Sequence, residues 1–307
     1  MASAQGTSPL WIPSNFLALP EEQSSLHASQ VVVLPAPYDS TTSYRTGARD
    51  GPNAIIEASY NLEDYDPELG IDVAQIGIYT APRLEPQMAG PRSMIDRVRE
   101  AVNHFLDMGK LVGMIGGEHS LTIGAVEALS DRYPDLQVLF LDAHGDLREE
   151  YMGTRWGHAS VARRVSELCP LVHVGGRSFS KEEIDHIELV GIPAFSWPPS
   201  NDQGLPQPGD LDVDSIVSHL GPHVYVSVDL DVLDPAIMSA VGTPEPGGLG
   251  WFQALALLRR VAKGSKIVGF DVMELSPRQG PDACSYLAAK LVYKLIAYSA
   301  PSRLDPS

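Results

Sequence analysis

Asp142, His144 and Asp146 alternate in the string Asp142-Ala143-His144-Gly145-Asp146, and Asp229 and Asp231 repeat that spacing in Ser227-Val228-Asp229-Leu230-Asp231. Both strings follow apolar runs, Val138 to Leu141 and Val224 to Val228, with the composition of buried strands. Side chains two apart in a strand point to the same side, so the residues of each string are predicted to converge. Four carboxylates share one pocket only when protons or a cation neutralise them. A metal centre is the expected answer, and this many ligands suit two metals. Carboxylate and imidazole without thiolate fit manganese, iron, nickel or zinc and disfavour a structural zinc site.

A third string, Gly116-Gly117-Glu118-His119-Ser120, follows the apolar run Leu111 to Ile115. Its glycines permit a tight turn before a helix. Such a turn can also receive a phosphate at a helix N-terminus, but the lysine and spacing of a P-loop are missing. A lone histidine is more often a cap or a core residue. Here the two acidic strings at equivalent strand ends make His119 a candidate ligand. Asp234-Pro235, just beyond Asp231, reads as a turn.

The elements that must hold these residues alternate in type. Strands are predicted at Val31-Leu34, Gln75-Tyr79, Leu111-Ile115, Val138-Leu141, Leu171-Val174, Ala194-Trp197, Val224-Val228 and Ile267-Val272. Helices are predicted between most of them, as in Ser93 to Met108, where Ile95, Val98, Val102 and Phe105 recur at helical spacing. Further helices are expected over Leu121-Tyr133, Ser160-Leu168, Lys181-Leu189, Val213-Leu220, Trp251-Val261 and Ser285-Tyr298. Near-continuous apolar strands alternating with helices predict an α/β fold: three α/β/α layers around a mostly parallel sheet of roughly eight strands. Ligands of such sheets bind beyond the carboxyl ends of the strands, where the acidic strings stand. The expected organisation is an N-terminal arm over 1–29, packed on the surface or on a neighbouring subunit, one domain over 30–300 and a tail over 301–307. The loop Pro198 to Gly209 reads as a crossover inside that domain.

Composition narrows the partners. The 307 residues are 44% apolar and carry a formal net charge of -17, which argues against nucleic acid and suits a cationic small substrate. Cys169 and Cys284 have no ligand or redox spacing, and Cys169 reads as a buried, inert thiol. No leader pattern and no apolar run of membrane-spanning length is visible, so a cytoplasmic protein away from membranes is expected.

The three strings, in this order, resemble the ureohydrolases of the arginase/agmatinase family. That family carries a Gly-Gly-acid-His-Ser turn, an Asp-Ala-His-x-Asp string and a Ser-x-Asp-x-Asp-x-x-Asp-Pro string. The resemblance runs from about residue 30 to the C-terminal helix. It takes in Pro37-Tyr38-Asp39-Ser40-Thr41-Thr42, Gly47-Ala48-Arg49-Asp50-Gly51-Pro52, Gly175-Gly176-Arg177-Ser178 and Gly242-Thr243-Pro244-Glu245-Pro246-Gly247-Gly248. Glu118 stands where many relatives have Asp, and Gly145 where many have Thr.

The resemblance implies His119, Asp142, Asp146 and Asp229 as ligands of one manganese and Asp142, His144, Asp229 and Asp231 as ligands of the other, with Asp142 and Asp229 bridging; nickel is the alternative metal. A water shared by two such cations supplies hydroxide at neutral pH, and hydroxide is needed to attack the delocalised guanidinium carbon. The resemblance makes His158, in Trp156-Gly157-His158-Ala159-Ser160, the proton shuttle to the leaving amine and Glu274 the partner of the guanidinium. Asp146 counts among the catalytic residues as well as the ligands, and Asp271, on the same strand as Glu274, reads as supporting the site or as structural. Histone-deacetylase-like proteins share the fold but use one zinc and lack the ligands of the second site. A non-catalytic relative should have lost a ligand, and none is missing.

Arginases grip their amino-acid head group from the loop after the Asp-x-His-x-Asp string. This chain has Leu147-Arg148-Glu149-Glu150-Tyr151-Met152-Gly153 there, which resembles agmatinases. Agmatine is therefore the expected substrate, cleaved to putrescine and urea, with Glu149 or Glu150 meeting its ammonium unless that face is simply solvated. A guanidino-acid held by Arg148 or Arg155, free guanidine and arginine are the alternatives. Relatives assemble as homo-oligomers, trimers or hexamers.

Overall fold

The computed structural model describes residues 11–199 and 211–300. Eight strands form the main sheet: β1 Val31–Ala36, β2 Ile78–Thr80, β3 Leu111–Gly116, β4 Leu136–Leu141, β5 Leu171–Val174, β6 Ala194–Phe195, β7 His223–Asp229 and β8 Lys266–Met273. Their order is β2-β1-β3-β8-β7-β4-β5-β6, and every pairing is parallel. A separate antiparallel pair, Tyr65–Asp66 with Ile71–Asp72, stands apart from the sheet.

Alternation along the strands explains the layers. Val31 and Val33 point into one core with the helices Gly51–Ser59, Trp251–Gly264 and Asp282–Ser299. Val32 and Leu34 point into the other, against Pro91–Asp107, Thr122–Ser130 and Val161–Ser166. Both faces are covered, so the strands carry apolar residues at successive positions. This is the expected three-layer α/β/α fold.

The four central strands, β3, β8, β7 and β4, are neighbours. Their carboxyl ends carry His119, Glu274, Asp229 and Asp142 in that spatial order. Residues from four distant segments thus reach one crevice because parallel strands all end on the same edge.

Element edges differ from the expectations where backbone conformation intervenes. Val73–Ile76 forms a 3-10 turn, and Gly77 at φ 75° redirects the chain so that the strand expected over Gln75-Tyr79 starts at Ile78. The strand expected over Ala194-Trp197 is confined to two residues at the sheet edge. The helix Gly51–Ser59 carries no helical periodicity in the sequence, because it is short and its apolar residues Ala54, Ile55 and Ile56 are consecutive; Pro52 in its first turn is the start signal. The C-terminal helix begins at Asp282, three residues before the expected Ser285.

From Trp11 the N-terminal segment packs against the domain. Phe16 is fully buried, its N–H donates to Thr80 Oγ1 (2.8 Å), and Leu17 N–H donates to Ser59 Oγ (2.8 Å). The Pro198 to Gly209 loop lies almost wholly outside the described residues. Cys169 is half-buried and its thiol is pushed up to about 12 by burial, which leaves it unreactive; Cys284 is buried. No helix among the described residues is long and apolar enough to cross a membrane.

Candidate metal centre and active-site pocket

Asp142 follows β4 and Asp229 closes β7. The side chains converge through local turns, not through the strand periodicity expected from sequence, since β4 stops at Leu141. Asp142 Oδ1 accepts from His144 N–H (2.7 Å) and Asp229 Oδ1 accepts from Asp231 N–H (2.9 Å). Each aspartate bonds the backbone two residues on, folding the next ligand back over the strand end. Asp231 Oδ1 in turn accepts from Ala143 N–H (3.1 Å), which ties the two strings together.

The His119 turn rests on the chain after β1: Gly117 N–H donates to Ala36 O (3.1 Å) and Glu118 N–H to Tyr38 O (2.7 Å). A Cβ at Gly117 would lie 1.8 Å from the Tyr38 carbonyl oxygen. Glycine is therefore required for this close approach, with no phosphate needed to explain it.

His119 Nδ1 lies 3.1 Å from Asp142 Oδ2, 3.2 Å from Asp229 Oδ2 and 3.8 Å from Asp146 Oδ2. His144 Nδ1 lies 2.9 Å from Asp231 Oδ2 and 3.6 Å from Asp142 Oδ1. The structure thus makes two donor groups, His119-Asp142-Asp229 and Asp142-His144-Asp231, each with donor atoms within 4.8 Å of one another. Asp142 belongs to both and turns one oxygen to each imidazole. Asp229 turns one oxygen to His119 and uses the other on Asp231 N–H.

A divalent cation fits these donors. His119 Nδ1 and Asp142 Oδ2 are buried without a hydrogen bond. Donors about 2.1 Å from an octahedral ion stand about 3 Å apart, as these do. The protonation of the cluster points the same way. Burial and the charge of Asp142 push Asp146 well above the carboxylate range, and burial with Asp231 and Asp142 does so for Asp229. Burial opposes charge on the imidazoles, yet Asp142 and Asp229 hold His119 high, and Asp231 and Asp142 hold His144 high. Protons thus occupy the place that cations would take.

An outer layer orients His119. Its Nε2 lies 2.8 Å from Ser227 Oγ, which donates to Asp271 Oδ1 (2.8 Å), while Tyr225 OH and Thr122 Oγ1 donate to Asp271 Oδ2 (2.7 Å each). The imidazole Nε2–H is held by this chain and Nδ1 faces the carboxylates. His173 Nε2–H donates to the His144 carbonyl (2.7 Å) and supports the second string.

The pocket over the cluster, about 240 Å³, is lined by Asp146, Asp229, Asp231 and His144 on its floor and by His158, Glu274, Arg148, Tyr151 and Glu183 on its walls. Glu274 follows β8; its Oε1 accepts from His119 N–H (2.7 Å). Burial, Asp229 and Glu118 push its carboxyl well above the usual range. His158 is pushed down to about 4, by burial first and by positive charge at His144. It is neutral at neutral pH.

The loop after the second string differs from the expected roles. Glu149 is occupied by Arg155 (2.5 Å), Arg163 (3.1 Å) and Arg164 (2.9 Å), so neither Glu149 nor Arg155 is free for a substrate, and Glu150 does not line the pocket. Arg148 does line it, with its guanidinium 5.0 Å over the Tyr151 ring. Beside this loop the acidic residue on the wall is instead Glu183, which sequence reasoning missed. Its only sequence signal is the capping box Ser180-x-x-Glu183, which the structure confirms.

A model of the arginase family matches residues 29–297. The chain is 39% identical over 299 residues to an N(1)-aminopropylagmatine ureohydrolase of Synechocystis sp., covering 95% of each chain. It is 39% identical over 275 residues to an agmatinase of Pyrococcus horikoshii, covering 88% of this chain and 92% of the relative. The solved agmatine ureohydrolase of Thermoplasma volcanium superposes with a TM-score of 0.82 at 33% identity, over 94% of this chain and 95% of that one. The donor set, the strand-end geometry and these matches agree: the chain belongs to the arginase family, as an agmatinase-like ureohydrolase.

Proposed function

We propose that the chain hydrolyses a linear guanidino amine, agmatine or its N1-aminopropyl derivative, to urea and the free amine, with two manganese ions as cofactor. The observation that carries the guanidinium is Glu274. Its carboxyl is buried beside Asp229 and Glu118, which raise the cost of its charge. A planar guanidinium relieves that cost and offers paired N–H donors to the carboxylate. Two cations held by His119, Asp142, His144, Asp146, Asp229 and Asp231 would supply Lewis acidity and make a water nucleophilic at neutral pH. His158, neutral in the pocket wall, first accepts a proton from the attacking water and then returns it to the departing amine nitrogen.

Glu183 supports a cationic tail. It lines the pocket, and its oxygens accept from Leu147 N–H (3.0 Å) and Ser180 N–H (2.6 Å), bonds that hold the carboxyl group in place. Arg148 favours a second reading, a guanidino-acid whose carboxylate meets its guanidinium, which has no carboxylate partner among the described residues. Urea release from agmatine, N1-aminopropylagmatine, arginine, 4-guanidinobutyrate and guanidine separates the two. A guanidino-acid or guanidine exceeding both amines in kcat/KM would sink the proposal.

The same reading takes the enzyme as a cytoplasmic homo-oligomer, trimer or hexamer, with one domain over 30–300. A groove lined by Tyr65, Trp251, Phe252 and Leu255, with Phe252 83% exposed, supports a contact between subunits.

A further inference from the structure

Thr41 sits between two functional strings that sequence reading treated separately. Its Oγ1 lies 2.8 Å from Glu118 Oε1, 3.1 Å from His158 N and 3.2 Å from His158 Nδ1. Its own N–H donates to Glu118 Oε2 (2.6 Å). Ser120 Oγ donates to Glu118 Oε1 as well. Glu118 is fully buried, and its two oxygens accept from Thr41 N–H, Thr41 Oγ1 and Ser120 Oγ, so the Thr41 hydroxyl is held as a donor to it.

The hydroxyl inventory then fixes the histidine tautomer. A threonine hydroxyl has one hydrogen and two lone pairs. The hydrogen goes to Glu118, and one lone pair takes the His158 backbone N–H. The remaining lone pair faces His158 Nδ1, which must therefore be the protonated nitrogen. Nε2 is left as the basic atom, 3.3 Å from Ser43 Oγ at the pocket edge.

We propose that Glu118 and Thr41 form a positioning relay for His158, holding Nδ1–H so that Nε2 both receives and returns the proton of the reaction. The inference rests on the shuttle role given to His158 above. Thr41 Oγ1, fixed as a donor to Glu118, presents an acceptor to Nδ1–H and so sets which ring nitrogen faces the pocket, the logic by which an aspartate orients a catalytic histidine. Glu118 and Thr41 touch no reacting atom; both act through His158.

Thr41→Val keeps the shape and removes the hydroxyl, and Thr41→Ser keeps the hydroxyl. With the manganese-loaded enzyme, Thr41→Val is expected to lower kcat by about 10- to 100-fold, a part of the roughly 10²–10⁴ that a positioned acid–base contributes. KM and bound metal should stay as in wild type, and Thr41→Ser should recover most of the loss. Removing a group that favours the imidazolium lowers the His158 pKa, so the His158-dependent limb of the pH profile should move to lower pH in Thr41→Val. A Thr41→Val enzyme as fast as Thr41→Ser would overturn the relay, as would a loss confined to KM or to metal content. His158→Ala is measured alongside. If it turns over normally, the shuttle reading falls and the relay with it; if it is crippled while Thr41→Val is not, only the relay falls.

Discussion

Ser227→Ala tests whether the layer behind His119 sets metal affinity. Ser227 is fully buried, and its hydroxyl accepts from His119 Nε2–H and donates to Asp271, both at 2.8 Å. The substitution removes one hydrogen bond from His119, held protonated in the metal-free protein, and one to a carboxylate, about 1.5–3 kcal/mol each. Tyr225 and Thr122 still donate to Asp271, so that carboxylate is not stranded. The metal-free protein should therefore lose about 3 kcal/mol, the lower end of that sum. The metal effect is separate. Without an acceptor, Nε2–H no longer fixes the ring, and loss of such a partner typically costs 10–100-fold in metal affinity, about 1.4–2.7 kcal/mol. Thermal unfolding after chelation reads the first quantity, and manganese titration followed by calorimetry reads the second. At saturating manganese kcat should approach wild type. Wild-type manganese affinity in a destabilised Ser227→Ala protein would refute the reasoning, because Ser227 would then be merely a core residue.

His158→Ala should lower kcat by about 10²–10⁴ with both metals retained, as steady-state kinetics and metal analysis would show; loss of metal would place His158 among the ligands instead. Asp229→Ala should lose metal from the centre, since Asp229 faces His119 and holds Asp231 in place, and full metal content in that variant contradicts the assignment. Metal binding should release protons and strengthen with pH. His119, His144, Asp146 and Asp229 are all held above their ordinary values, so the metal-free protein carries extra protons at neutral pH that a cation must displace. Calorimetry in buffers of different ionisation enthalpy measures that release, and none would contradict the cluster's role.

The sheet was legible because buried parallel strands leave an unmistakable pattern: β1, β3, β4, β5, β7 and β8 all coincide with apolar runs in the sequence. The candidate ligands stood out because carboxylates and imidazoles directly after such runs have few other reasons to be there, and the structure brings them together in two donor groups. What lay hidden depends on long-range contact. Glu183 reads as a helix cap and becomes a pocket wall only because Lys181–Val190 docks against the loop at Leu147. Glu149 reads as a free carboxylate and becomes the partner of three arginines, two of them on the helix Val161–Ser166. Thr41 lies in a string that carries the family resemblance, but the string assigns it no role, and only Glu118 and His158 on either side of it supply one.

Backbone conformation shows why the site keeps its shape. Asp146 at φ 52° and Glu274 at φ 67° lie in the left-handed region, which costs a non-glycine residue about 1–3 kcal/mol. Both are held by bonds from other loops. Glu274 N–H donates to Gly117 O (2.9 Å) and its carboxyl takes His119 N–H (2.7 Å), so the turns after β8 and β3 fix each other. Asp146 O accepts from Arg163 N–H (3.1 Å) at the helix that follows His158. The strain is thus offset by contacts between segments that are distant in the chain, and the tie between His119 N–H and Glu274 joins a candidate ligand to the candidate guanidinium partner. A substitution that frees either turn should therefore disturb metal binding and guanidinium binding together, because His119 and Glu274 share one hydrogen bond.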